Sequence, residues 1–303
     1  MSDLLVEPPA AVDRAELRAA SSPSVLPATA KPPVVVIERR SRWQLIDFGE
    51  LWHYRDLFRF LVWRDVKVLY AQSALGIGWA IVQPLATMAV LAIVFGYFAE
   101  MPSDGVAYPV FSLAALVPWT YFSNAVTGGV GSLVNEANLL RKVYFPRLLL
   151  PFSAVAAKLV DFGIALVLLF VLMTAYGLPP TWRVLFLPAL VLLMMMAAAG
   201  IAVWLTALAV QYRDVKHGMT FLMQLMMYAA PVVYPASVVP DRYRAIYDLN
   251  PMVGVIEGFR WSLLKTGSMP IQSLAIGSSV ACVLLLTGLF YFRQRERLFA
   301  DVA

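Results

Sequence analysis

NEANLLRKVYFPRLLLP, residues 135–151, is the longest polar-to-basic interruption between two long apolar runs of the chain. Its core, Asn138 to Tyr144, is helix-like, and Pro146 stops it. Proline lacks an N–H and disfavours the helical region for the residue before it, so the helix is predicted to end near Phe145. Arg141, Lys142 and Arg147 then gather at one membrane edge, with Val143, Tyr144 and Phe145 beside them as apolar and aromatic surface. Two readings fit these local features. One is an inner loop that obeys the positive-inside rule; the other is a short element on which a partner docks.

The composition around this stretch decides the class. Of 303 residues 60% are hydrophobic and 14% charged, where an ordinary soluble domain carries roughly 25% charge. The chain is expected to be an all-α integral membrane protein. Its net charge of +5 is scattered between apolar segments, which favours anionic lipid headgroups over nucleic acid as the partner. Cys282 is the only cysteine, so an internal disulfide and a cysteine-based metal site are excluded. Residues 1–50 lack a basic segment followed by an apolar core, so no secretory signal is expected and the amino terminus is placed in the cytoplasm.

Residues 1–33, rich in Pro, Ala and Ser, are read as a flexible tail. A segment over 34–73 follows. It opens with the β-prone run Val34 to Ile37 and the basic residues Arg39, Arg40 and Arg42, and ends in an amphipathic helix, Leu51 to Tyr70. On a wheel of 100° per residue, Leu57, Phe58, Leu61, Val62 and Val66 share one half of that helix, and Arg59, Arg64 and Lys67 the other. Asp65 falls in the apolar half and spoils the pattern. Trp52 and Trp63 suit a helix lying at the membrane interface.

Crossing a hydrocarbon core of about 30 Å takes about 20 apolar residues. Six segments of the remainder, 74–303, qualify: Gly76 to Ala99, Pro109 to Val130, Leu149 to Tyr176, Leu185 to Val210, Met219 to Val239 and Ile271 to Phe292. Kinks are expected at Pro84, Pro231 and Pro235. With the amino terminus inside, the inner flanks hold Arg55, Arg59, Arg64, Lys67, Arg141, Lys142, Arg147, Arg213, Lys216, Arg293, Arg295 and Arg297. The outer loops hold Arg183, Arg242, Arg244, Arg260 and Lys265. That imbalance places both termini in the cytoplasm. The last outer loop, Pro240 to Pro270, contains PMVGVIEGFRWSLL, apolar but too short to span twice. Re-entrant helices before the last span account for it.

Lys158 and Asp161 stand one helical step apart in the third span. Either alone would cost about 2.5–3.5 kcal/mol at the bilayer centre, so they are expected to pair or to face a hydrated cavity. A structural ion pair and a proton relay of a proton-coupled carrier both fit. His53 and His217, the only histidines, have no ligand partner at metal-binding spacing. No GxSxG, HExxH or GxxxxGK[ST] motif occurs, so neither a membrane transferase nor a P-loop ATPase is read in this chain. Trp119, Tyr121, Phe122 and Tyr234 belong to an aromatic belt near the outer ends. Such rings could also stack on sugars along a path for a glycan.

Several segments resemble the membrane subunits of type-2 ABC exporters, particularly those for O-antigen and related cell-surface polysaccharides or teichoic acids. They are FLVWRDVKVLYAQSALGIGWAIVQP (60–84), LVPWTYFSNAV (116–126) with NEANLLRKVYFPRLLLP (135–151), and QYRDVKHGMTFLMQLMMYAAPVVYP (211–235) leading to YDLNPMVGVIEGFRWSLL (247–264). The resemblance implies a six-span permease of the bacterial inner membrane, working as a homodimer with two copies of a separate ATP-binding subunit. ATP and Mg would be bound by that partner and no cofactor by this chain. A coupling helix is implied within 135–145, with Asn138, Leu139, Arg141, Lys142, Tyr144 and Phe145 as its contacts. Carried onto the amphipathic helix, the resemblance makes Arg55, Arg59, Arg64 and Lys67 candidates for the phosphates of an undecaprenyl-linked polysaccharide. O-antigen, capsule and teichoic acid stay open as cargo.

Overall fold

The computed structural model describes residues 48–71, 75–142, 144–212 and 214–296, which fall in one compact unit. The tail over 1–33 and the basic run around Arg39, Arg40 and Arg42 lie outside the described residues. Among the described residues the regular elements are all helical.

The expected amphipathic helix is present, interrupted at Tyr54, as α1 (Phe48–His53) and α2 (Arg55–Tyr70). The first apolar run begins as a 3-10 turn (Gly76–Gly78), continues as α3 (Trp79–Leu91) and widens into a π-helical segment (Ala92–Phe98). Pro84 is buried inside α3 and does not end it. Then come α4 (Tyr108–Asn135) and the short α5 (Ala137–Lys142). The third apolar run is α6 (Leu149–Ala157) and α7 (Leu159–Ala175), broken at Lys158. After a 3-10 turn (Trp182–Phe186) follow α8 (Leu187–Gln211), α9 (Asp214–Tyr228), α10 (Asp241–Tyr247), α11 (Pro251–Leu264) and α12 (Ile271–Arg295).

Among the described residues four stretches are long and apolar enough to cross a membrane: Gly76–Phe98, Leu149–Ala175, Trp182–Gln211 and Ile271–Arg295. Two expected spans depart from that description. At 28 residues α4 is about 42 Å long at about 1.5 Å per residue. Its positions facing protein include Ser112, Ser132 and Gly129, because α3, α6, α7, α8 and α11 all pack around it. A helix covered by other helices need not be apolar on every side. The fifth segment was expected as one helix from Met219 to Val239. Instead α9 starts at Asp214 and stops at Tyr228. Pro231 and Pro235 cannot donate to a continuing ladder, and the chain turns between them.

The core has two parts. The larger surrounds α4, with Phe111, Leu113, Leu169, Met194, Met252 and Phe259 fully buried. The smaller lies where α2, the end of α4, α6, α8 and α12 meet, around Leu61, Leu133, Leu150, Val203 and Phe292. Helices α8 and α12 touch backbone to backbone. A Cβ added at Gly200 would lie 2.8 Å from the Leu285 nitrogen, and one at Gly288 would lie 2.9 Å from the Gly200 carbonyl oxygen. Trp204 and Tyr291 stack 4.9 Å apart one turn along the same seam. Between α11 and α12, Gly254 and Gly277 serve the same close approach, against Ser273 and Pro251.

Gly200→Val is expected to destabilise the chain by about 2 kcal/mol, because the neighbouring atoms are backbone and cannot swing away. Gly163→Ala, at a helical site with nothing within 4 Å, is expected to be neutral or to stabilise by up to about 1 kcal/mol. Thermal unfolding of the two variants in detergent reads the difference; equal midpoints would refute the tight crossing.

Candidate functional site

The basic stretch at residues 135–151 is built as a brace with an outward face. After Asn135 the chain breaks at Glu136 and makes the single short helix α5, earlier than the end near Phe145 that proline alone predicts. Leu139 and Leu140 are half-buried against the smaller core. Phe145 is only 4% exposed and belongs to that core, so it anchors the element and does not present itself to a partner, contrary to expectation. Lys142 faces outward, as does Tyr144, which is 79% exposed. Asn138 and Arg141 lie on α5. Arg147 reaches across to donate a hydrogen bond to the Glu296 carbonyl at the end of α12.

Helix α2 lies against this brace. The Arg64 guanidinium stands between two carboxylates, 2.9 Å from Glu136 and 2.8 Å from Asp65. Burial works against its charge, but Asp65 and then Glu136 outweigh burial, and the Arg64 pKa is raised. Arg64 is therefore committed to holding α2 on the α4–α5 junction and is not a free phosphate ligand. Asp65, the charge that spoiled the apolar face of α2, is its second partner. Arg55 and Arg59 face outward, 3.9 and 3.6 Å from the exposed Asp56, which leaves both accessible to an anion. Lys67 sits 4.8 Å over the Trp63 ring.

Of the two expectations for Lys158 and Asp161, a direct pair or a shared cavity, the structure shows the cavity and no direct ion pair between them. The Asp161 carboxylate accepts the Tyr70 hydroxyl, which ties the last turn of α2 to α7. Burial, then the hydrogen bond and charge of Asp161, push the Tyr70 hydroxyl well above its ordinary range, so it stays a donor. Both Lys158 and Asp161 line a cavity of about 250 Å³ bounded by α2, α3, α4 and α7. The break between α6 and α7 falls at Lys158 itself.

The proposed aromatic path is not formed within the chain. Trp119 and Phe122 are buried in the larger core with their rings 5.6 Å apart. Tyr121 is buried too, its ring 5.6 Å from Phe162 and its hydroxyl donating to the Val155 carbonyl. Tyr234 donates to the Tyr228 carbonyl and receives the Tyr247 hydroxyl. These rings fill the core because α4 is covered on most sides.

At the far end of α4 stands Arg260, which sequence reasoning placed among the outer-loop charges and did not single out. It is fully buried on α11, 2.9 Å from Glu257, and it donates to the carbonyls of Val232 and Tyr234. Its guanidinium lies 3.6 Å over the Phe111 ring. Glu257 also accepts the Ala236 N–H. The pair clamps the turn that follows α9. Glu257 and Arg260 at i and i+3 inside an apolar run were the available signal. Cys282, His53 and His217 are exposed, and no group of metal ligands forms among the described residues.

Residues 56–264 match the family model described as ABC-2 type transporter. The chain is 33% identical over 254 residues to the O-antigen export system permease protein RfbA of Myxococcus xanthus, covering 83% of this chain and 97% of that protein. It is 25% identical over 251 residues to the O-antigen export system permease protein RfbA of Klebsiella pneumoniae, covering 82% and 95%. It is 23% identical over 238 residues to the polysialic acid transport protein KpsM of Escherichia coli, covering 77% and 91%.

If Arg64 bridges α2 to the junction, Arg64→Gln and Glu136→Gln should each destabilise, and together by less than their sum. A coupling of about 1 kcal/mol is expected for a partly exposed pair of this kind. Thermal unfolding of the two single variants and the double variant reads it, and strict additivity would show that the two side chains act independently.

Proposed function

The chain belongs to the ABC-2 type transporter family, and from that premise we propose that it is the permease of an exporter for a lipid-linked polysaccharide, O-antigen first. The observation that carries this reading is a match that runs through 97% of the length of an O-antigen export permease. It is the channel-forming subunit, and ATP with Mg is bound and hydrolysed on a separate ATP-binding subunit. The likeness to polysialic acid transport proteins supports capsule as the second cargo. Teichoic acid and a proton-coupled carrier are the weaker readings.

In this proposal the chain spans the inner membrane six times with both termini in the cytoplasm. The second span is α4. The fifth is α9 with its turn, completed by the neighbouring copy or by α10 and α11, which re-enter from the outer side. Two copies form the channel between them, each carrying one ATP-binding subunit. The outward face of α5 and Tyr144 is the docking surface: Leu139, Leu140 and Phe145 hold it from within, and Lys142 and Tyr144 make the contact. Arg55, Arg59 and Lys67, on the accessible side of α2, meet the phosphates of an undecaprenyl-linked glycan, since an anion at low dielectric requires compensating charge.

ATP binding by the partner closes the two nucleotide-binding subunits and pushes α5. Because α5 continues from α4 through Glu136, and Glu136 holds Arg64, the push reaches α2 and the channel wall together. ATP-dependent, vanadate-sensitive glycan export by the chain and its ATPase tests the reading. Export that collapses with the proton gradient and survives inactivation of the ATPase would overturn it.

Lys142→Glu combined with Tyr144→Ala is expected to lower export at least tenfold while the protein accumulates normally, because both side chains face outward and neither supports the core. ATPase activity should no longer respond to the glycan. Export measured in cells lacking the native permease reads this, and unaltered export would remove the docking surface.

A further inference from the structure

The cavity bounded by α2, α3, α4 and α7 carries a cluster of charged and hydrogen-bonding side chains within a mostly apolar lining, where a membrane helix bundle is expected to be dry. Gln83, Thr120, Asn124 and Lys158 line it, and among the described residues their side chains make no hydrogen bond or direct ion pair within the chain. Asp161 receives only the Tyr70 hydroxyl, on one oxygen, which leaves further acceptor positions on the carboxylate. One ammonium and one carboxylate thus stand on the same wall without closing on each other. Opposite charges held open at membrane depth are unfavourable unless a polar occupant bridges them.

The volume of about 250 Å³ would take about eight waters at about 30 Å³ each, or one small polar headgroup. Position favours the headgroup. The cavity lies under the last turn of the amphipathic helix α2, and the exposed side chains of Leu69, Trp79 and Gln83 form its outer wall. A mostly apolar lining that carries a few polar and charged groups, beside an interfacial helix, suits a phospholipid headgroup and the start of its chains. Charge then selects the kind. The Asp161 carboxylate lines the same cavity as Lys158, so a ligand carrying only negative charge meets repulsion on the same wall that attracts it. A ligand with one phosphate and one N–H-bearing cation matches both groups: the phosphate accepts from Lys158, and the cation donates to Asp161. A quaternary ammonium has no N–H to donate.

We propose that this cavity binds the headgroup of a zwitterionic phospholipid with a primary amine, phosphatidylethanolamine, with the phosphate on Lys158 and the ammonium on Asp161. Gln83, Thr120 and Asn124 supply the remaining hydrogen bonds to phosphate and ester oxygens. Such a lipid is a resident of the fold, distinct from the cargo. It joins α2 to α7 beside the Tyr70 contact, so its loss loosens the helix on which the proposed phosphate contacts lie.

The purified full chain is mixed with vesicles of phosphatidylethanolamine, phosphatidylcholine or phosphatidylglycerol, and retained lipid is measured by native mass spectrometry. Phosphatidylethanolamine should be retained at least tenfold more tightly than either of the others. Lys158→Met and Asp161→Asn should each abolish that preference, and Lys158→Arg should keep it. Where the charge variants fail to fold, Gln83→Trp, which fills the mouth from an exposed position, should lower retention by the same factor. Equal retention of the three lipids overturns the proposal, as does a preference for phosphatidylethanolamine that survives every loss variant. Preferred retention of phosphatidylglycerol also overturns it and assigns the cavity to an anionic phosphate, such as that of a lipid-linked cargo. Glycan export is a separate measurement, so the failure of this lipid site and the failure of the exporter reading are told apart.

Discussion

Helices surrounded by hydrocarbon gain little by burying apolar surface against one another, since lipid tails are as apolar as leucine. Close backbone approach and polar contacts must hold them instead, and the bundle shows where each is used. Between α8 and α12 the contact is backbone on backbone, possible because Gly200 and Gly288 carry no side chain. At the far end of α4, Arg260 fastens two carbonyls of the turn after α9. At the near end, Arg64 fastens the interfacial helix to the junction of α4 and α5. Apolar side chains fill the space between these points without deciding where the helices lie.

The same constraint governs what the sequence could reveal. All-helical architecture follows from composition, because a chain with 60% hydrophobic residues must satisfy its backbone within each segment in lipid. Boundaries were legible where a single residue decides them. Pro251 after Asn250 opens α11, and the Asn250 side chain caps it by accepting the Met252 N–H. Contacts made across the bundle were hidden. Asp65 looked like an error in the apolar face of α2 because its partner, Arg64, points to Glu136 on another element. Trp119 and Phe122 looked like belt residues because nothing local says that α4 is enclosed by its neighbours. The Lys158–Asp161 spacing was read as one face of a continuous helix, whereas the helix breaks at Lys158 and both residues line one cavity. What it missed is that Tyr70, from α2, takes the carboxylate first.

The short basic stretch between the second and third apolar runs owes its shape to this cross-bundle bonding more than to its own propensity. A helix of six residues has too few internal hydrogen bonds to hold itself in water. It is held because Leu139, Leu140 and Phe145 sink into the smaller core and because Glu136, at its start, is pinned by Arg64. Its outward residues are thereby presented on a firm support, which the proposed docking role requires. A flexible loop with the same charges would absorb the movement instead of passing it on.

Helix α2 is held at two points along its length. It is tied by Arg64 to the α4–α5 junction and by Tyr70 to Asp161 on α7, six residues and therefore about 9 Å apart along the helix. Two fixed points on one rigid helix leave it little freedom to rotate independently of either. A displacement of α5 must then tilt α2, break one tie, or carry α7 along. Both ties are half-buried: Arg64 is held by two carboxylates and Tyr70 by one.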